Sequence, residues 1–353
     1  MPSYPLPPGI RVELVSDTAT RPSPGMRRAM AEAVVGDEQK REDPTTNRLL
    51  ERVCELLGKE DAIFLPSGCM CNSIAYRLHC RPGDEILIHD SYHAVNYEVG
   101  APAALAGASV RLLSGPDGLF DAQQVRQAIR PPHINHHPRS RVLSVEQTTN
   151  VGGGKVWSLD ALRAVTAEAR EHGLACHMDG ARLWNAVVKS GVTASEYCER
   201  FDTVWVDFTK GMGCPVGSVF AASADLIREA WRVKHQLGGA MRQSGILAAA
   251  CLYALDHNFE RLAEDHANAE RLAAGLSDIA GLAVEAPETN MVFFRVDGLG
   301  IERGEFLSRL LSDHSVRLGP NGPVRIRAVT HLDVSRDDID FAVRETVDAL
   351  KSS

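Results

Sequence analysis

The sequence predicts an α/β protein, with a mainly parallel sheet in a large domain and a smaller C-terminal α+β unit. Three observations predict this. Short apolar runs bordered by turn residues recur through the first two thirds of the chain. Helical patterns lie between several of them. After about residue 225 the pattern changes to long helices, and then to a strand–helix–strand–helix sequence. Uninterrupted short apolar runs are what strands buried on both faces show, and their alternation with helices indicates a parallel sheet.

In order, the strand-like runs are Ala62–Leu65, Glu85–His89, Ser109–Leu113, Arg141–Val145, Ala175–Met178, Thr203–Phe208 and Ser218–Ala221. Helices are predicted over Pro44–Leu57, Asn72–His79, Ala122–Ile129 and Leu159–His172. The last has Ser158 as its N-cap and Gly173 as its C-terminal stop. Further helices are expected over Leu226–Gln236 and Gln243–Ala274, with Gly275 ending the second. Then come a strand over Met291–Val296, a helix over Arg303–Asp313, a strand over Val324–Val329 and a final helix over Ser335–Leu350. The expected division is an N-terminal arm over 1–15, a large domain over 16–240 and a small domain over 241–353.

Composition bounds the function. The 353 residues, 44% hydrophobic and 24% charged, suit a globular chain of about two domains. No uncharged apolar run reaches the ~18 residues a membrane helix needs. The 38 basic residues against 46 acidic give a net charge of −8, which argues against a nucleic-acid surface. The Pro-rich Met1–Gly9 leader lacks a basic start and an apolar stretch, so a secretory signal is not expected. The eight cysteines are read as reduced thiols in a cytoplasmic chain. Cys69-x-Cys71 has the wrong spacing for a zinc site, and no metal is expected.

Four segments can carry chemistry, and each also has a plain structural reading. Asp179, in His177-x-Asp179-Gly180-Ala181-Arg182, follows an apolar strand, where polar groups face the ligand crevice. It could equally cap the next helix. Lys210 follows the strand Thr203–Phe208 and enters a Gly-rich turn, Gly211 to Gly217. It is either a solvated loop lysine or, if buried, an amine nucleophile able to form a Schiff base. The glycines there match a dinucleotide loop poorly, because another strand-like run follows. Pro66-Ser67-Gly68-Cys69 opens a helix, which makes either an ordinary cap or an anion site of free N–H groups. Tyr92-His93 follows a strand and offers either a stacking ring or a structural hydrogen-bonder. Together these are what pyridoxal 5'-phosphate needs: N–H donors for phosphate, a ring partner, a carboxylate for the pyridine nitrogen and a lysine amine for the aldehyde.

These segments resemble the L-threonine aldolases, within the β-eliminating lyase and threonine aldolase group of fold-type I pyridoxal-phosphate enzymes. The resemblance runs from Ser16 to about Asp338. It rests on Ser16-Asp17-Thr18-Ala19-Thr20-Arg21-Pro22, Val35-Gly36-Asp37, Glu42-Asp43-Pro44-Thr45 and Pro66-Ser67-Gly68. It continues in His177 to Ala186, Thr209 to Ser218, Gly238 to Gly245 and Arg327 to Ser335. It implies an aspartate aminotransferase-like large domain that binds the cofactor, and retro-aldol cleavage of a β-hydroxy-α-amino acid to glycine and an aldehyde. Lys210 would form the Schiff base, Asp179 would pair with the pyridine nitrogen, and His93 would stack on the ring. Ser67, Gly68 and Cys69 would hold phosphate, with Arg242 helping from a neighbouring subunit and Arg182 close to the cofactor. Ser16, Arg182 and Arg327 would bind the substrate carboxylate. His136 falls where the family has a second active-site histidine. His93, His136 or a water is then the base. The resemblance also implies a homo-oligomer, a dimer or tetramer.

The chain departs from the family pattern at Val15, Lys40, Cys69, Ala101-Pro102, Gln147-Thr148-Thr149 and Thr209. Several of these lie near the expected pocket, so an altered reaction, β-elimination or racemisation, is the alternative. A non-catalytic binding module is the third reading, and the presence of Lys210, Asp179, Arg182 and Arg327 argues against it.

Overall fold

The structure is a computed structural model and describes residues 7–351. The first six residues of the leader and the last two of the chain lie outside the described residues. In chain order the elements are β1 (Val12–Glu13), α1 (Pro24–Ala31), α2 (Pro44–Leu57), β2 (Asp61–Leu65), α3 (Gly68–His79), β3 (Glu85–His89), α4 (His93–Asn96) and α5 (Ala101–Ala106). Next come β4 (Ser109–Leu113), α6 (Ala122–Ala128), β5 (Ser140–Glu146), α7 (Leu159–Glu171), β6 (Ala175–Gly180), α8 (Leu183–Ser190), α9 (Ala194–Cys198), β7 (Thr203–Asp207) and β8 (Ser218–Ala222). The chain continues with α10 (Ala224–Gln236), α11 (Gly245–His257), α12 (Leu262–Ser277), β9 (Ala283–Val284) and β10 (Met291–Arg295). It ends with α13 (Arg303–Ser312), β11 (Val316–Arg317), β12 (Gly319–Asn321), β13 (Arg325–Val329) and α14 (Arg336–Lys351).

A seven-stranded sheet forms the centre, in the order β2-β8-β7-β6-β5-β3-β4. It is mainly parallel, as expected. The exception is β8, which runs antiparallel to both β2 and β7. β7 and β8 are joined by the turn that carries Lys210, too short a connection for the crossover that parallel strands require. Because β8 reverses, β2 points the same way as β7. The carboxyl ends of β2, β3, β5, β6 and β7 therefore lie on one edge of the sheet, and ligands of open α/β sheets bind outside that edge.

The smaller sheet, β12-β13-β10-β9, is antiparallel. β1 pairs with β11, so Val12 and Leu14 of the N-terminal segment pack into the core of the small unit. The expected boundary at residue 240 precedes α11, whose Ala248, Ala250 and Cys251 pack in the core of the large sheet. The change of core falls within α12: Leu262 belongs to the first, and Ala269, Leu272 and Leu276 to the second.

Two helices differ from their sequence reading. The expected helix over Gln243–Ala274 is two helices, broken between Asn258 and Arg261. Asn258 caps α11 and donates its amide N–H to the Met212 carbonyl at 2.7 Å, a tertiary bond that no local breaker residue announces. Gly275 is interior to α12 rather than its stop. A Cβ there would meet Val343 of α14 at 2.8 Å, so this glycine serves a close helix crossing. α3 begins at Gly68, one turn before the expected Asn72, because Ser67 caps it by accepting the Met70 N–H. Among the described residues no helix is long and apolar enough to cross a membrane, and all eight cysteines are free thiols.

Candidate active site

The carboxyl edge of the large sheet opens into a cavity of about 430 Å³. Its wall includes Ser16, Ser67, Gly68, Cys69, His93, Asp179, Arg182, Lys210 and Arg327. Nine expected site residues, spread over more than 300 positions, thus share one space.

Its floor is a hydrogen-bonded network centred on Asn72, one turn into α3. The two Asn72 amide hydrogens go to Glu98 Oε1 at 2.8 Å and Asp179 Oδ2 at 2.9 Å. Its carbonyl accepts from Trp205 Nε1 at 2.7 Å and faces His177 Nε2 at 3.0 Å. Every polar atom of this buried amide is used. The Ala181 N–H fixes the other Asp179 oxygen at 3.1 Å. Burial raises the Asp179 carboxyl; the Asn72 bond opposes this, and the Glu98 charge adds to the rise. A buried carboxyl held by neutral donors is suited to a cationic N–H.

His93 stands at the start of α4, with Nδ1 at 2.9 Å from Glu98 Oε1. Burial alone would lower its pKa, but the Glu98 bond and the carboxylates of Asp179 and Glu146 outweigh this and raise it. Glu146, at the end of β5, accepts the His93 N–H at 3.3 Å and the Asn150 N–H at 3.0 Å. Burial first, and then Asp179, push its carboxyl up to about 7. Cys69, His93 and Glu98 each bring a ligand-capable atom within 4.8 Å of the others. The Cys69 thiol is pushed up to about 11 by burial and by the carboxylates Glu98 and Asp179, so it is neutral near pH 7.

The mouth of α3 is narrow for a reason. A Cβ on Gly68 would collide with the Trp205 ring, so only glycine lets the strand β7 approach this turn. The first N–H groups of the helix lack intrahelical acceptors and face the cavity with the positive end of the dipole. On the adjoining wall Lys210 Nζ, 5.8 Å from the centre of the Trp205 ring, donates to Asp207 Oδ2 at 2.7 Å. Cofactor chemistry fits these residues: donors for an anion, a buried carboxyl and an amine line the same space.

The third wall is cationic. Arg182 is committed bidentately to buried Asp17, with both bonds at 2.7 Å. Burial would raise the Asp17 carboxyl, but the Arg182 charge and hydrogen bonds hold it well below the usual range. Arg327 donates Nη1 to Asn150 Oδ1 at 2.9 Å and Nη2 to the Val15 carbonyl at 3.1 Å, while its buried Nε has no partner. Ser16 Oγ accepts the Thr18 N–H at 3.2 Å.

Two expected residues lie elsewhere in the chain. Arg242 is an exposed side chain that pairs with Asp37 at 3.0 Å. His136 is exposed in the loop that enters β5 at its amino end, whereas the cavity collects carboxyl-end residues such as Glu146. Residues that the sequence reading missed are Asn72, Glu98, Glu146, Trp205 and Asp207. Asp207 and Glu146 had a local signal, each as an acidic residue at the end of an apolar strand, and Asp207 also stands three positions before Lys210.

The family model described as beta-eliminating lyase matches residues 13–298. This chain belongs to the beta-eliminating lyase family. It is 41% identical over 329 residues to the low specificity L-threonine aldolase of Escherichia coli K12, covering 93% of this chain and 96% of that protein. A solved threonine aldolase from Leishmania major matches with a TM-score of 0.82 at 22% identity, over 96% of this chain and 99% of that one. The aspartate aminotransferase of Rhizobium meliloti matches at 0.71 and 17% identity, over 96% and 91%. The two structures establish the fold, an α/β architecture of the aspartate aminotransferase type. Membership of this family makes the chain a pyridoxal-phosphate-dependent lyase.

Proposed function

We propose that the protein is an aldolase that cleaves a β-hydroxy-α-amino acid, of the L-threonine, L-allo-threonine or phenylserine type, to glycine and an aldehyde. The observation that carries this is the convergence of Lys210, Asp179, His93, the α3 N-terminus and Arg327 on one cavity. The 41% identity to a low specificity L-threonine aldolase over nearly the full length supports the reaction class.

Bound here, pyridoxal 5'-phosphate supplies an electron sink for the pair left at Cα when the Cα–Cβ bond breaks. Lys210 Nζ would be the amine that holds it. Asp179, kept in place by Asn72, would pair with its ring nitrogen. His93, with Nδ1 committed to Glu98, would stack on the ring and keep Nε2 for the substrate. Ser67 caps the turn whose Gly68 and Cys69 N–H groups would hold phosphate. Arg327 would bind the substrate carboxylate beside Ser16 through the Nη hydrogens that Asn150 and Val15 leave free. Arg182 contributes charge from behind, its fork being occupied by Asp17. The β-hydroxyl proton goes to His93 Nε2, or to His136 from an adjoining subunit.

The active form is a homo-oligomer, a dimer or tetramer, in which exposed Arg242 and His136 reach the cavity of a neighbour. Exposed apolar side chains, among them Val34, Val99 and Ile246, support such contacts. The expected compartment is the cytoplasm. The test is to incubate the purified protein with a panel of β-hydroxy amino acids and identify products by mass spectrometry. Glycine with the matching aldehyde is expected. Pyruvate with ammonia, or an enantiomer without cleavage, would replace this reading with elimination or racemisation.

A further inference from the structure

Asp207 ends β7, and its side chain is 2% exposed. Its Oδ2 accepts from Lys210 Nζ at 2.7 Å and from Thr209 Oγ1 at 2.9 Å. Its Oδ1 accepts from Ser218 Oγ at 3.0 Å and from Thr209 Oγ1 at 3.1 Å. Ser218 is its register partner on β8, so the carboxylate is fixed from two strands. The hydroxyls are neutral, and Lys210 is the cation in contact with it; Arg182, whose fork is held by Asp17, adds its charge from further away. The other acids near Lys210 are engaged elsewhere: Asp17 is held by Arg182, and Asp179 by Asn72 and the Ala181 N–H.

A carboxylate in contact with an amine favours its ammonium form, whereas the nucleophile is the neutral amine. We propose that Asp207 is the positioning counter-ion of Lys210, holding the free ε-ammonium at the end of β7 and setting how much of it is available as an amine. This rests on Lys210 being the residue that bonds the cofactor. The competing role is purely structural, with Asp207 pinning the turn from Phe208 to Gly217. Asparagine separates the two, because its Oδ1 still accepts from Ser218 and Thr209 while the charge is gone.

The experiment uses the full-length protein freed of cofactor. An amine-directed acylating reagent is applied at pH 7, and acylation of the Lys210 peptide is timed by mass spectrometry, with exposed Lys351 as the internal standard. In Asp207→Asn, Lys210 should react about tenfold or more faster than in the native chain, with Lys351 unchanged. Asp207→Glu, which restores the charge, should react slowly again. Asp207→Ser provides the same comparison should the asparagine variant not fold, and the same acceleration is expected. Equal Lys210 rates in the native and charge-free variants would overturn the proposal and leave Asp207 a turn pin. Borohydride trapping of the cofactor on the native protein tests the underlying reading separately. A label on another lysine would sink the role of Lys210 in the proposed function and, with it, the purpose of the counter-ion, whatever the acylation rates.

Discussion

Two lysines of this chain make the same contact and do different things. Lys210 meets Asp207 and Lys234 meets Glu38, each at 2.7 Å. Lys234 is fully buried, lies over the Trp231 ring at 4.3 Å, and shares Glu38 with the Met241 N–H. Burial lowers its pKa, and the Glu38 charge opposes this. Lys210 is 21% exposed and opens onto the cavity. The distance is therefore no guide to role. What separates the pairs is whether the amine can reach a ligand. The Lys234 pair ties α10 to the loop of Glu38 and has no open face, so it is structural. The Lys210 pair has one fixed carboxylate and one free approach, so it can do chemistry.

Breaking each pair sharpens that contrast. The largest effect expected is from Lys210→Ala, which should remove the visible absorbance of the lysine-bound cofactor and lower aldol cleavage by a thousandfold or more, roughly the scale of losing a covalent catalytic group. Retained cleavage at native rate would remove Lys210 from the site. Lys234→Met should act on stability instead. It strands buried Glu38 and should cost about 3–5 kcal/mol in denaturant unfolding, while the folded fraction keeps its absorbance. A stable Lys234→Met protein that cannot bind cofactor would reverse the assignment of the two lysines.

The floor of the cavity responds to acid. His177 is fully buried between Thr203 and Asn72. Burial, and then the charge of nearby His79, depress its pKa to about 3 from 6.5. Below pH 6.5 the unfolded chain takes a proton that the folded chain refuses. Stability present above pH 6.5 is thus lost as pH falls toward 3, by up to about 1.4 kcal/mol per pH unit. His177→Gln should flatten this limb in melts recorded between pH 7 and pH 4, and an unchanged slope would contradict the assignment.

Smaller effects are expected at the mouth and the outer surface. Gly68→Ala forces a Cβ into the Trp205 ring and should cost about 1–3 kcal/mol, with weaker cofactor retention on dialysis. Arg242→Ala breaks an exposed pair and should change monomer stability by less than about 0.5 kcal/mol. Its cofactor affinity should nevertheless fall if the side chain serves a neighbouring subunit, and unchanged affinity would place Arg242 outside the site.

Much of this molecule was legible in the sequence. Lys210, Asp179 and the Ser67-Gly68 turn each stand at a strand end, and strand ends are read from local hydrophobic runs. The break in the long helix after α11 was not legible, because Asn258 ends it by a bond to Met212, 46 residues away. Asn72 was not legible either. Its partners Glu98 and Asp179 are 26 and 107 residues distant, and an asparagine inside a helical pattern looks ordinary.

The sequence by itself determined the kinds of element, their order and the residue types that the chemistry needs, because periodicity, caps and turns act over a few residues. Only the tertiary structure decided which of those residues meet. Reversal of β8 sets the strand ends along one edge, Asn72 joins Asp179 to Glu98, and Asp17 takes the fork of Arg182. Arg242 and His136 lie outside the cavity of their own chain. Such pairings depend on the burial of polar groups that must then find partners across the fold, and short-range pattern carries no record of which partner each one finds.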